Sequence, residues 1–175
     1  MSHHRFFRAA AIVALLLTTV SAWSQKTFTD AVDMNNYLIA PNDSLYQKGQ
    51  ALGRSVGVAY STKDYSGIAP AKKAIIKYAS DKLVELKKVK DQFGSEEFRQ
   101  GIIDFLEYEV NIMKNKTPLL DKLNSNTTEA EFRAAIDEMM AESRDEAKFL
   151  QKVTDMQARF AKKNGFAVEA PVTQE

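Results

Sequence analysis

Cysteine is absent from this 175-residue chain, tryptophan occurs once and histidine occurs twice. The tryptophan and both histidines lie within the first 24 residues, as Trp23, His3 and His4. A chain without cysteine has no disulfide, so its stability in an oxidising compartment must come from a buried core. The same absence excludes zinc sites that need cysteine and a lipid anchor attached through cysteine.

The first 24 residues have the pattern of a secretory signal peptide. Arg5 and Arg8 give a basic start, an apolar run extends to Val20, and Ala22 and Ser24 are the small residues that a signal peptidase recognises. The run is shorter than the about 20 apolar residues that span a bilayer. We therefore predict cleavage near Ser24 and a soluble secreted or periplasmic protein, with a retained membrane anchor as the alternative.

Removal of the signal changes the charge and the chemistry of the chain. The 24 basic residues fall to 22 because Arg5 and Arg8 leave, and 23 acidic residues remain. A nearly neutral balance argues against nucleic acid as a partner, because nucleic acid calls for a basic surplus. No segment after the signal is long and apolar enough to predict a membrane span.

The predicted mature chain also lacks histidine, which removes several kinds of catalytic site. Ser-His-Asp hydrolysis, haem held through histidine and the usual di-iron bundle all need an imidazole. We therefore predict no catalytic residue, no metal site and no cofactor, and a protein that is not an enzyme. The alternative is an extracytoplasmic enzyme that uses carboxylates alone or a metal held by carboxylates.

Apolar residues recur every three or four positions along nearly the whole mature chain, which is the period of an α-helix. Start and stop signals predict four helices, with these approximate bounds: Ala31 to Tyr60, Ile68 to Phe93, Ser95 towards Asn124, and Thr128 to Asn164. The first helix is either kinked or ended at Pro41. The third is predicted to bend near Pro118, and Thr128 with Glu131 predicts a capping box.

Four long helices joined by short turns bury their apolar stripes by packing as antiparallel neighbours. We therefore predict an all-α, up-down-up-down antiparallel four-helix bundle. It forms one domain over residues 25–165, after the signal peptide of residues 1–24. Gln25 to Phe28 are predicted to form a loose end, and residues 166–175 are predicted to form a loose C-terminal tail.

Three of the seven glycines lie four residues apart in the stretch "KGQALGRSVGVAY" of the first predicted helix. Gly49, Gly53 and Gly57 would form a slanting groove there, at a cost of about 3 kcal/mol relative to alanine. Close packing of a neighbouring helix or of a bulky side chain would offset that cost, and this is the predicted role. A groove for a partner helix or a small ligand is one alternative, and a segment that is not helical is another.

Two charged residues fall on predicted apolar faces, Lys82 in the second helix and Glu109 in the third. Both lie at similar heights from the turn at Gly94, because a helix rises about 1.5 Å per residue. A lone buried charge is costly, so we predict an ion pair between Lys82 and Glu109. The alternative is that Lys82 extends to water and Glu109 bonds with a tyrosine such as Tyr78, or with water.

The fourth predicted helix carries Glu138, Glu142 and Glu146 at four-residue spacing, with Asp145 nearby. Side chains four residues apart share one face of a helix, so these acids form one edge. A row of like charges is typical of a solvated surface. We therefore predict that this edge faces water.

Three features together resemble a known class of protein: the signal ending in "AWSQ", the first helix "YLIAPNDSLYQKGQALG" and the four-helix bundle. The chain resembles small secreted bacterial surface proteins that have no assigned activity. The resemblance assigns no functional residue. We predict an exported, non-enzymatic bundle that acts as a binding or structural surface, with another protein as one candidate for its unknown partner.

Overall fold

The computed structural model describes residues 26–168, so the predicted signal peptide and the last seven residues lie outside the described part of the chain. All regular structure in residues 26–168 is helical. The four α-helices are α1 (Ala31–Thr62), α2 (Ile68–Leu86), α3 (Glu96–Asn111) and α4 (Glu129–Asn164). Within these bounds, no helix combines the length and the hydropathy that a membrane-spanning segment requires.

Contacts between helix ends show that neighbouring helices run antiparallel. Tyr37, near the start of α1, donates a hydrogen bond of 2.5 Å to Glu85, near the end of α2. Arg159, near the end of α4, binds Glu97 in the first turn of α3 at 2.6 Å. The prediction of an all-α, up-down-up-down four-helix bundle is confirmed.

Helix α1 continues through Pro41, so the alternative that this proline ends the first helix is wrong. Asp30 caps the start of α1 by accepting a hydrogen bond from the backbone amide of Asp33, at 2.8 Å. The capping box predicted for the fourth helix is confirmed. The Thr128 hydroxyl accepts from the Glu131 amide, and the Glu131 carboxylate accepts from the Thr128 amide.

Helices α2 and α3 are both shorter than predicted. Helix α2 ends at Leu86 rather than near Phe93, and Arg99 of α3 donates to the Leu86 carbonyl oxygen at 3.4 Å. Helix α3 ends at Asn111, and a π-helical turn (Ile112–Lys116) follows. The bend predicted at Pro118 is therefore an end, because proline lacks an amide hydrogen and disfavours a helical conformation in the residue before it.

The two ends of the described chain pack more tightly than predicted. Phe28 is buried, and its amide donates to the side chain of Gln92 at 3.3 Å. Phe166 lies edge-on to Phe160 of α4, with ring centroids 5.9 Å apart. The predicted loose tail is therefore wrong at its first residue, whereas residues 169–175 lie outside the described part of the chain.

Helix α4 contributes to the core mainly at its two ends. Phe132 and Ala135 are buried near its start, and Val153 and Phe160 are buried near its end. From residue 136 to residue 152, no side chain of α4 is fully buried. The middle of α4 therefore contacts the core only through partly buried side chains.

Candidate functional site

A cavity of about 380 Å³ lies between the middle of α4 and the middle of α1. The two helices touch on either side of it. Gln157 donates to Asn35 at 3.0 Å towards one end, and the rings of Tyr60 and Phe132 lie 5.8 Å apart towards the other. Cavities of this volume are typical of sites for small molecules.

The glycines of α1 leave this space open. Gly49 and Gly53 line the cavity, and a Cβ atom added to either one would meet no heavy atom within 4 Å. A Cβ on Gly57 would also meet none, although Gly57 lines a separate groove with Tyr60 and Phe132. The predicted close packing on Gly49, Gly53 and Gly57 is therefore wrong, because no neighbouring side chain or helix reaches them. The segment is helical, and its open groove matches the alternative interpretation.

The walls of the cavity are mainly apolar. Helix α1 supplies Leu45 and Leu52, α3 supplies Phe105, and α4 supplies Met139 and Leu150. Leu45, Leu52 and Phe105 are already buried, whereas Met139 and Leu150 are half-buried. A ligand with an apolar body would therefore gain mainly by covering Met139 and Leu150.

Glu109 of α3 lies in this apolar wall. The residue is only 6 % exposed, and its buried Oε1 atom has no hydrogen-bond partner in the structure. Burial raises the pKa of the Glu109 carboxyl from 4.5 to about 8, with a smaller contribution from the nearby charge of Glu146. The carboxyl is therefore largely protonated at neutral pH in the free protein.

The predicted ion pair between Lys82 and Glu109 is wrong. The Lys82 ammonium group binds Glu85, three residues along the same helix, at 2.6 Å. Both members of that pair keep contact with water, so neither bears the full desolvation cost of a buried charge. The Glu109 Oε1 atom accepts no hydrogen bond from Tyr78 either.

The acidic edge of α4 is not uniformly solvated, which corrects the prediction for that edge. Glu146 is half-buried and lines the cavity, and burial raises the pKa of its carboxyl. Its position could have been found from the sequence. Glu146 lies seven residues after Met139 and four before Leu150, so all three share the face that points into the bundle.

The charged residues that line the cavity are all acidic. They are Asp43 at the exposed rim, Glu109 in the wall and Glu146 opposite, and no lysine or arginine belongs to the described lining. In residues 26–168, no group of three acidic side chains is placed to hold one metal ion. The site can accept positive charge, or donate a proton from Glu109, at the end of an apolar pocket.

Comparison with known proteins does not assign this site. No protein-family model, curated protein or solved structure matches the chain. The function therefore has to be inferred from the cavity and its side chains.

Proposed function

We propose that this protein is an exported, non-enzymatic binding protein that takes a small molecule with an apolar body into the cavity between α1 and α4. The bundle supplies the rigid walls, and the glycine face of α1 supplies the opening. The proposal assigns the binding role predicted from the sequence to this cavity.

The glycines support a binding role because their cost is not offset within the structure. Each glycine in a helix interior destabilises the helix by about 1 kcal/mol relative to alanine. Neither Gly49 nor Gly53 gains a packing contact in return. A ligand that needs the space above these two residues would account for them.

The observation that carries the proposal is the buried Glu109 carboxyl, whose Oε1 atom has no partner and which lines an unfilled pocket. A buried polar group without a hydrogen bond costs about 1 to 3 kcal/mol. Such groups are rare in folded proteins and are often explained by function. A bound molecule would satisfy the carboxyl and fill the pocket together.

The proposal can be tested by blocking the cavity without harming the fold. We expect Gly53→Leu to project a side chain into the cavity and to abolish binding, since a Cβ at this position meets nothing. Gly57→Leu is the matched control, because Gly57 lies one turn further along α1 and does not line this cavity. Both substitutions should also raise stability slightly through helix propensity.

Methionine methyl groups give a local readout for a screen of small one-ring and two-ring compounds by NMR. Met113 and Met139 line the cavity, whereas Met34 is fully buried elsewhere in the core. We expect binding compounds to shift the methyl signals of Met113 and Met139 in the unsubstituted chain and in Gly57→Leu, but not in Gly53→Leu. Shifts that persist in Gly53→Leu, or a screen with no shift at either methionine, would contradict the proposal.

A carboxylate-based hydrolase is the second candidate, and the raised pKa of Glu109 is the observation that favours it. A carboxyl that stays protonated near neutral pH can act as a general acid, as in glycoside hydrolysis, with Glu146 as the second carboxylate. Turnover of aryl glycosides that is lost in both Glu109→Gln and Glu146→Gln would favour this candidate over simple binding.

A further inference from the structure

We infer that the cavity between α1 and α4 selects an organic cation with an apolar body, and that Glu109 and Glu146 bind its positive charge. This inference rests on the proposed binding function and names the class of ligand. It follows from the sign of the charges, the burial of Glu109 and the character of the walls.

The acidic character of the cavity lining favours a cation. Three acidic residues line the cavity and no basic residue of the described lining opposes them. An ionised carboxylate in this lining repels an anionic ligand and attracts a cation. The lining therefore favours positive charge, and Glu109 adds to that preference once it has lost its proton.

The burial of Glu109 is an independent observation that points to a ligand. The residue is more than nine-tenths buried, it lines the open pocket, and its Oε1 atom has no hydrogen-bond partner. No lysine compensates it, because Lys82 is engaged with Glu85. A cation brought in by a ligand would supply the missing partner to a carboxylate that is already shielded from water.

The walls favour an organic cation. The side chains that line the cavity around the two glutamates are mainly apolar, and Phe105 and Tyr46 are the aromatic residues of the described lining. Aromatic rings attract ammonium groups, especially when the group is partly desolvated. The lining therefore fits an ammonium group that is attached to an apolar body.

Binding of such a cation should be coupled to proton release. In the free protein, burial raises the pKa of Glu109 to about 8, so the carboxyl is largely protonated at pH 7. A cation beside it favours the ionised form, so the proton leaves for solvent as the cation binds. The titratable groups that share the cavity with Glu109 are Asp43 and Tyr46 from α1 and Glu146 from α4, whereas α2 contributes only Ile75.

Two probes of one shape separate the effect of charge from the effect of apolar contact. Phenyltrimethylammonium and tert-butylbenzene differ in having nitrogen or carbon at one central atom, and the ammonium charge does not change with pH. We expect the full chain at pH 8.5 to bind the ammonium probe at least tenfold more tightly, as judged from the methyl signals of Met113 and Met139. The preference should shrink severalfold at pH 6, where Glu109 is protonated.

In Glu109→Gln, the preference for the ammonium probe over the neutral probe should fall below threefold at both pH values. The neutral probe should still bind. Glu107→Gln is the matched control, because Glu107 lies on the same helix and binds Lys87 away from the cavity. Equal binding of the two probes to the unsubstituted chain would overturn the inference but leave the binding function standing. A preference that survives in Glu109→Gln would also overturn it, and failure of both probes to bind would count against the inference and the proposed function together.

Discussion

Lys82 and Lys72 show which of two lysines is buried and what each ammonium group binds. Both lie on α2, and the sequence pattern selects Lys82 as the buried charge. The buried lysine is instead Lys72, whose ammonium group donates to the Thr117 carbonyl oxygen at 2.9 Å and to Asp121 at 2.7 Å. That carbonyl group is available because the helix has ended before it, which helical periodicity alone does not reveal.

Glu109 should make the stability of the protein depend on pH in an unusual direction. Its pKa is about 8 in the folded chain and near 4.5 when exposed, so between these values the folded state holds a proton that the unfolded state has released. The free energy of unfolding therefore falls as the pH rises through this window. From pH 5 to pH 8 the loss should be on the order of 3 kcal/mol, since a tenfold change in proton affinity corresponds to about 1.4 kcal/mol.

Urea unfolding of the unsubstituted chain and of Glu109→Gln, at pH 5 and at pH 8, measures this effect. Groups away from Glu109 titrate alike in the two proteins, and only its neighbours Glu146 and Tyr108 feel the loss of its charge. The substitution should therefore remove most of the pH dependence that Glu109 causes. The free energy of unfolding of Glu109→Gln minus that of the unsubstituted chain should be larger at pH 8 than at pH 5. A stability difference between the two proteins that does not change with pH would show that Glu109 is not held protonated.

At the scale of the helices, the glycines of α1 and the glycine of α3 have different reasons to be present. A Cβ on Gly49 would meet open space, whereas a Cβ on Gly101 would overlap the sulfur atom of Met156 in α4. Gly101 therefore leaves room for the Met156 side chain of the neighbouring helix. The sequence pattern assigned that role to the wrong glycines because three of them form a visible repeat and Gly101 stands alone.

The difference predicts opposite outcomes for the same substitution. Gly49→Ala should raise the free energy of unfolding by about 1 kcal/mol, because helix propensity improves and nothing is displaced. Gly101→Ala gains the same propensity but forces Met156 to move, so it should give no gain or a net loss. Urea unfolding of both variants is the measurement, and a loss of stability in Gly49→Ala would mean that its groove is filled in solution.

At the scale of the whole molecule, the sequence predicts the fold well and the site only in part. Apolar periodicity predicts four antiparallel helices, and the capping box at Thr128 is confirmed. The cavity is not predicted, because it arises from the distance between α1 and α4, which depends on how both helices pack at their ends. Glu109 is correctly placed on an inward face, but periodicity does not show that its face meets an unfilled space.

Export is also a property of the whole chain, and it stays a prediction. We predict that a chain expressed in a bacterial host appears outside the cytoplasm with Gln25 as its first residue, because the basic start, apolar run and small residues of positions 1–24 have the pattern of a secretory signal. N-terminal sequencing of the extracytoplasmic protein measures this. Recovery in the cytoplasm with residues 1–24 intact would contradict it.

The partly buried middle of α4 affects where the folded protein opens locally. The helix is anchored at Phe132 and Phe160, and the stretch between residues 136 and 152 has no fully buried side chain to hold it. Local opening is least costly where few apolar side chains are removed from water. Local opening should therefore be least costly in the central turns of α4, and it would widen the entrance to the cavity. It must break the stacking of Phe149 on Tyr108 and the hydrogen bond from Tyr108 to the Glu142 carbonyl oxygen.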